Sequence, residues 1–264
     1  MNGKAIGVFD SGIGGLTVYA AIKERLPGEK IIYLGDTARL PYGSKSAETI
    51  VAFSQRNAEF LMSRQVKIIV VACNSSSSYA IGHLREVLDI PVIGVIEPGA
   101  EAAVARRGRK IGIIGTSATI ASGAYERAIA ARSGDVGIVS RDCPLFVPLV
   151  EEGWLDHPVT RMVIEEYLLP LRRQGIDTLV LGCTHYPLLK SLIREVLGEG
   201  IALIDSAQTT AIRVADILTE AGWLASSPAP GEDEFYATDF PERFRRVGEI
   251  FLRRQLTAVG LVTI

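Results

Sequence analysis

Two apolar runs in this chain end alike: VVACNSSSS, with Cys73, and VLGCTHYP, with Cys183. Neither alternates polar with apolar residues, so each is expected to be buried on both faces, as strands of parallel sheets are. Each stops at a cysteine, followed by small hydroxyl residues and a helix-like stretch. A buried strand that ends this way delivers its last residues to the carboxyl edge of the sheet, where open α/β proteins bind ligands. Two thiols so placed form a matched pair facing one pocket. Opposed thiols suit removal of a proton from one face of a carbon and its return to the other.

The rest of the chain fits the same frame. Strands are expected at Ala5 to Phe9, Lys30 to Leu34, Lys67 to Ala72, Val92 to Val95 and Ala202 to Ile204. Helices are expected at Leu16 to Arg25 and Ser46 to Arg64, the second with Ile50, Phe53 and Leu61 on its apolar side. Strands separated by helices indicate parallel sheets with helices on both faces. IGVFDSGIGGLTVYAAI from Ile6 resembles IGIIGTSATIASGAYERAI from Ile111, and each half reaches its cysteine strand after a similar distance. The expectation is an α/β fold of two similar lobes with the cysteines meeting between them. In the tail, Ser226 to Gly231 reads as a loop and Phe235 to Thr238 as a strand. Pro241 to Arg254 reads as a helix with Asp239 as its N-cap, and Gly260 to Ile264 as an edge strand.

Composition narrows the partners. The 264 residues carry a net charge of −2, which argues against nucleic acid or an acidic membrane as a main partner. No uncharged run is long enough to span a bilayer, and the start lacks a signal-peptide pattern. Three widely spaced cysteines argue against a disulfide framework and for a reducing compartment, so the cytoplasm is expected.

Several motifs admit more than one reading. Asp10-Ser11-Gly12-Ile13-Gly14-Gly15 joins a strand to a helix, where glycines let backbone N–H groups approach an anion. A dinucleotide site, with Asp36 after the next strand, is disfavoured: the third glycine would fall at Thr17, and Asp10 would face phosphate. Asp10 then reads either as a helix cap or as the ligand of a cationic substrate group with Ser11 beside it. A helix N-terminus beyond each of Cys73 and Cys183 would favour thiolate. Zinc is disfavoured because no Cys-x-x-Cys occurs; a redox disulfide between the two thiols stays open. His185 tunes Cys183, acts as an acid or holds a structural hydrogen bond. His83 reads as a surface or packed residue and His157 as exposed. Cys143, with no strand before it, reads as structural. Pro41-Tyr42-Gly43-Ser44 reads as a plain turn or as donors for a carboxylate. Glu151-Glu152 ends a short apolar helix, Leu145 to Val150, against the helix dipole.

Together these segments resemble the glutamate racemases of the aspartate/glutamate racemase superfamily. FDSGIGGLT, GDTARLPYG, ACNS, CPLFVPLVEEG, GCTHYPLL and FYATDFPERF carry the resemblance, in order and over nearly the whole chain. It implies a cofactor-independent, metal-free enzyme with two pseudo-symmetric lobes: residues 1–97 with 208–264, and residues 98–207. It implies Cys73 and Cys183 as the acid/base pair, serving D- and L-glutamate respectively, with Asp10, Glu151 or its neighbour Glu152, and His185 assisting. Asp10, Ser11, Tyr42, Gly43, Asn74, Ser75, Thr184 and His185 map onto substrate-contacting positions, with Ser75 and Thr184 expected at opposite carboxylates. The partner implied is glutamate, with a role in supplying D-glutamate for peptidoglycan in a bacterial cytoplasm; a homodimer is left open. One departure stands out. The family commonly has ACNTAS where this chain has ACNSSSS, so Ser76 replaces a small apolar residue, and altered packing or substrate affinity is expected there.

Overall fold

The computed structural model describes residues 1, 3–225, 232–256 and 258–264. The expected loop at Ser226 to Gly231 lies outside the described residues. The chain begins with β1 (Ile6–Asp10), α1 (Leu16–Arg25), β2 (Ile31–Gly35), α2 (Ala47–Ser63), β3 (Ile68–Val71), α3 (Asn74–Tyr79), α4 (Ile81–Val87), β4 (Val92–Gly94) and α5 (Ile96–Ala105). A second series follows: β5 (Lys110–Gly115), α6 (Ser117–Ala121), α7 (Ala124–Ala130), β6 (Gly137–Asp142), α8 (Phe146–Glu151), α9 (Pro158–Arg173), β7 (Thr178–Gly182), α10 (Lys190–Leu197), β8 (Ala202–Asp205) and α11 (Ser206–Glu220). The tail adds β9 (Glu234–Ala237), α12 (Pro241–Leu252) and β10 (Gly260–Leu261).

These strands form two sheets, with strand orders β10-β9-β2-β1-β3-β4 and β6-β5-β7-β8. All pairings are parallel. The order 2-1-3-4 recurs as 6-5-7-8, so the weak sequence repeat is a repeat of topology. The register makes the equivalence specific. Phe9 pairs with Val71, two residues before Cys73, and Ile114 pairs with Leu181, two residues before Cys183. Phe9 and Ile114 are the fourth residues of the two repeats.

The central strands β1, β3 and β7 are buried along their whole length, as their unbroken apolar runs require. Each fully buried Val, Leu or Ile contributes about 1.5–3 kcal/mol relative to exposure. The strand β6 breaks this pattern: its sequence GIVSRD is half-exposed at the sheet edge. It offers no apolar run, and so Cys143 has a strand end that the sequence did not reveal. The Cys143 N–H donates to Gly115 O, as the Asp36 N–H donates to Asp10 O in the first sheet. Cys143 nonetheless packs in the apolar core, fully buried. A second correction concerns α12. Its N-cap is Phe240, in a left-handed conformation with φ 44°, rather than Asp239; the Asp239 carboxylate accepts from the Phe240 N–H instead. His83 is half-buried against Gln55, and His157 is exposed at the start of α9. No helix among the described residues is long and apolar enough to cross a membrane.

Candidate active site

A cavity of about 360 Å³ opens where the carboxyl ends of the two sheets face each other. Cys73 enters it from the end of β3 and Cys183 from the end of β7, each 5% exposed. Ser11, Tyr42, Gly43, Asn74, Ser75, Glu151, Thr184 and His185 also line it. Asp10 lies just beneath, 1% exposed. Of the two acidic neighbours, Glu151 lines the cavity, while Glu152 is exposed as the C-cap of α8.

The two thiols have different surroundings. Cys73 is the N-cap of α3 and its thiol donates to Ser11 Oγ at 3.5 Å. Burial, aided by the Asp10 charge, pushes this thiol up to about 11, against the backbone N–H of Ser76 and the Ser11 and Ser76 hydroxyls, which favour thiolate. The helix N-terminus is therefore outweighed, contrary to the expectation of an acidified thiol. Cys183 has no helix directly beyond it: a 3₁₀ turn, Tyr186–Leu189, intervenes before α10. Its partner is His185, with Nδ1 at 3.9 Å from Sγ and Nε2 at 3.2 Å from Glu151 Oε1. Burial alone would lower the His185 pKa, but hydrogen bonds to Cys183 and Glu151 raise it to about 10. The opposite holds for Glu151: burial would raise it, yet His185 and Arg243 hold it below the ordinary range. The conflict of Glu151 with the α8 dipole is offset by these two cations.

Asp10 carries one oxygen bonded to the Gly12 N–H at 2.9 Å and one, Oδ1, with no partner among the described residues. Its pKa is raised, chiefly by burial, against the opposing charge of His185 and the N–H groups of Gly12 and Gly15. Asn74 is similar: Oδ1 accepts from the Tyr125 hydroxyl at 2.8 Å, while the buried Nδ2 has no partner. A free acceptor and a free donor beside the same cavity suit an ammonium and a carboxylate, since buried polar groups are costly unless paired. Asp36 is taken up by the fold instead. It accepts from Arg39, Thr238 and the Tyr42 hydroxyl, and Asn57 donates to Tyr42. This network fixes the loop that presents Tyr42 and Gly43.

The glycine loop after β1 acts by close approach. A Cβ on Gly14 would overlap the Thr184 hydroxyl and the His185 ring, and one on Gly43 would meet Thr116 Cβ at 2.7 Å. Gly14→Ala is therefore expected to displace His185 and lower kcat/KM about 100-fold, the scale of an ångström-sized misplacement. Steady-state kinetics beside a thermal melt would check this, and wild-type kcat/KM would refute the role of Gly14.

Sequence reasoning missed part of the lining. Thr116 bonds Ser75 Oγ at 2.9 Å across the cleft, and Ser117, Leu40, Pro144, Val147 and Pro148 complete the wall beside Pro41 and Ser44 of the turn singled out above. The internal repeat held a signal for Thr116, which aligns with Ser11; Pro144, Val147 and Pro148 had none beyond lying in the CPLFVPLVEEG segment.

Relatives agree with this architecture. The chain is 51% identical over 263 residues to a glutamate racemase from Geobacter metallireducens, covering 99% of this chain and 97% of that protein. It is 50% identical to one from Neisseria meningitidis, with the same coverage. A crystal structure of a glutamate racemase isoform from Bacillus anthracis superposes with a TM-score of 0.96 at 42% identity, over 100% of this chain and 99% of that one. Glutamate racemase from Francisella tularensis, in complex with D-glutamate, gives 0.93 at 39% identity, over 100% and 98%. The profile of the family described as Asp/Glu/Hydantoin racemase matches residues 6–214, and the chain belongs to that family.

Proposed function

We propose that this chain is a glutamate racemase that works with no cofactor, using Cys73 and Cys183 as opposed acid and base. One observation carries the reading: two equivalent strand ends bring two thiols into one cavity. The full-length relatives named glutamate racemase support glutamate as the substrate. The two lobes are taken as residues 1–97 with 208–264, and 98–207, with α5 and α11 crossing the boundaries. The activity would supply D-glutamate for peptidoglycan in a bacterial cytoplasm.

The asymmetry of the thiols fits the reaction. One must be thiolate while the other is thiol. His185 lies between Cys183 and Glu151, so a proton carrier held by a carboxylate stands beside Cys183. Cys73, pushed up to about 11, holds its proton. The enzyme is thereby poised to take a proton from L-glutamate at Cys183 and deliver one from Cys73 to the other face. In the reverse direction, the substrate ammonium at Asp10 neutralises the charge that opposes Cys73 ionisation. Charge developing on the α-carboxylate would be held by Asn74 Nδ2, the Ser11 hydroxyl and one of the Ser75 and Thr184 hydroxyls, the other meeting the distal carboxylate; these donors are fixed before the substrate arrives. Positioned acid and base groups contribute about 10²–10⁴ each.

The test is solvent exchange. L-Glutamate in heavy water should lose its Cα–H signal as optical rotation falls, and should do so after dialysis against chelator. Binding without exchange would identify a binding protein instead. Activity restored only by metal or pyridoxal phosphate would refute the cofactor-free mechanism.

A further inference from the structure

The four serines after Asn74 differ in how their hydroxyls are satisfied. Ser75 pairs with Thr116, Ser77 donates to Val71 O at 2.8 Å, and Ser78 donates to Asn74 O at 2.8 Å. Ser76 is fully buried and its hydroxyl has no partner among the described residues. Cys73 is the N-cap of α3, so Ser76 is the third residue of the helix. A residue at that place turns its side chain back toward the N-cap, as in a capping box. That place sets its backbone N–H and hydroxyl toward the N-cap residue, and both favour the Cys73 thiolate.

We propose that Ser76 is a positioning residue whose hydroxyl is held in reserve for the Cys73 thiolate, donating to the sulfur when Cys73 acts as base. The inference rests on the two-thiol reading above. It gives the departure from ACNTAS to ACNSSSS a purpose in this chain. A neutral thiol is a weak acceptor, which leaves the hydroxyl idle; a thiolate is a strong one. The need is local. Cys73 stands next to the Asp10 carboxylate on β1 and near the Tyr33 hydroxyl on β2, with Ser11 as the other hydroxyl at the sulfur. Across the cavity are Cys183, His185 and Glu151, whose contacts serve the other thiol. Cys73 has no histidine of its own, and Ser76 supplies part of what His185 supplies to Cys183.

The test is the pH dependence of alkylation by iodoacetamide in the full chain, resolved to each cysteine by mass spectrometry. Ser76→Ala should move the Cys73 midpoint upward and slow its alkylation at fixed pH by about tenfold, the scale of one hydrogen bond to a charged group. Cys183 should keep its wild-type pH profile. Ser78→Ala, which removes a hydroxyl already bonded to Asn74 O, should leave Cys73 unmoved. An unchanged Cys73 midpoint in Ser76→Ala, or an equal shift in Ser78→Ala, would overturn the assignment. The midpoint belongs to Cys73 whether or not it is the base. Failure here therefore leaves the two-thiol mechanism standing, and that mechanism is tested separately by replacing the cysteines.

Discussion

Replacing either Cys73 or Cys183 by serine should lower racemisation of glutamate by about three orders of magnitude or more, the contribution of a positioned acid or base. A serine hydroxyl in the place of either thiol is far too weak an acid to serve as thiolate does. The two variants should fail in mirror-image ways. With Cys73 replaced, Cys183 and His185 can still remove the proton of L-glutamate, but no thiol waits on the opposite face. The proton then returns from the side it left. In heavy water this variant should exchange the Cα–H of L-glutamate without inverting it, and the Cys183 variant should do the same for D-glutamate. Proton NMR with polarimetry separates exchange from inversion. Because the two enantiomers are equal in free energy, any loss in kcat/KM must be the same from either side; a one-sided loss would signal an assay fault. Wild-type racemisation in either variant would remove the two-thiol mechanism.

Lys67→Met is expected to be strongly destabilising, by about 3–5 kcal/mol, although it lies far from the chemistry. Lys67 Nζ is fully buried, 2.6 Å from Glu29 Oε2 and 2.8 Å from Trp223 O. Glu29 Oε1 accepts in turn from the Ala225 N–H at 2.8 Å. This pair ties the start of β3 to the turn before β2 and to the residues after α11. Removing the ammonium leaves the buried Glu29 carboxylate without its counter-ion and the Trp223 carbonyl without its donor, a greater loss than the pair's own net worth. A melting temperature lower by about 10 °C is the corresponding scale for a chain of this size. Lys67→Met with Glu29→Met should recover much of the loss, since replacing both members removes the orphaned charge. A single variant as stable as wild type would show that the pair contributes nothing.

The central strands were legible because their signal is local. The apolar runs before Cys73 and Cys183 need no partner to be recognised, and the helix at Leu16–Arg25 is where its pattern put it. The helix expected at Ser46 to Arg64 runs from Ala47 to Ser63, with Ser46 standing outside it as the N-cap that accepts from the Thr49 N–H. The strand β6 was missed because an edge strand need not be apolar, and its half-exposed residues carry no periodic signature. Asp239 was read as a cap from residue type alone, whereas the left-handed backbone at Phe240 set the entry to α12.

The sequence by itself determined the alternation of elements, the repeat, and the two thiols at equivalent strand ends. These follow from periodicity and spacing, which are properties of neighbouring residues. Tertiary structure alone decided what each polar group does. Gly14 serves the approach of His185, 171 positions away in the chain, and Asp36 is spent on Arg39, Tyr42 and Thr238. Lys67, an unremarked strand opener, becomes a buried ion because Glu29 and Trp223 converge on it. The charge and hydrogen-bond state of a group depend on what lies within a few ångströms, and the fold draws those neighbours from anywhere in the chain.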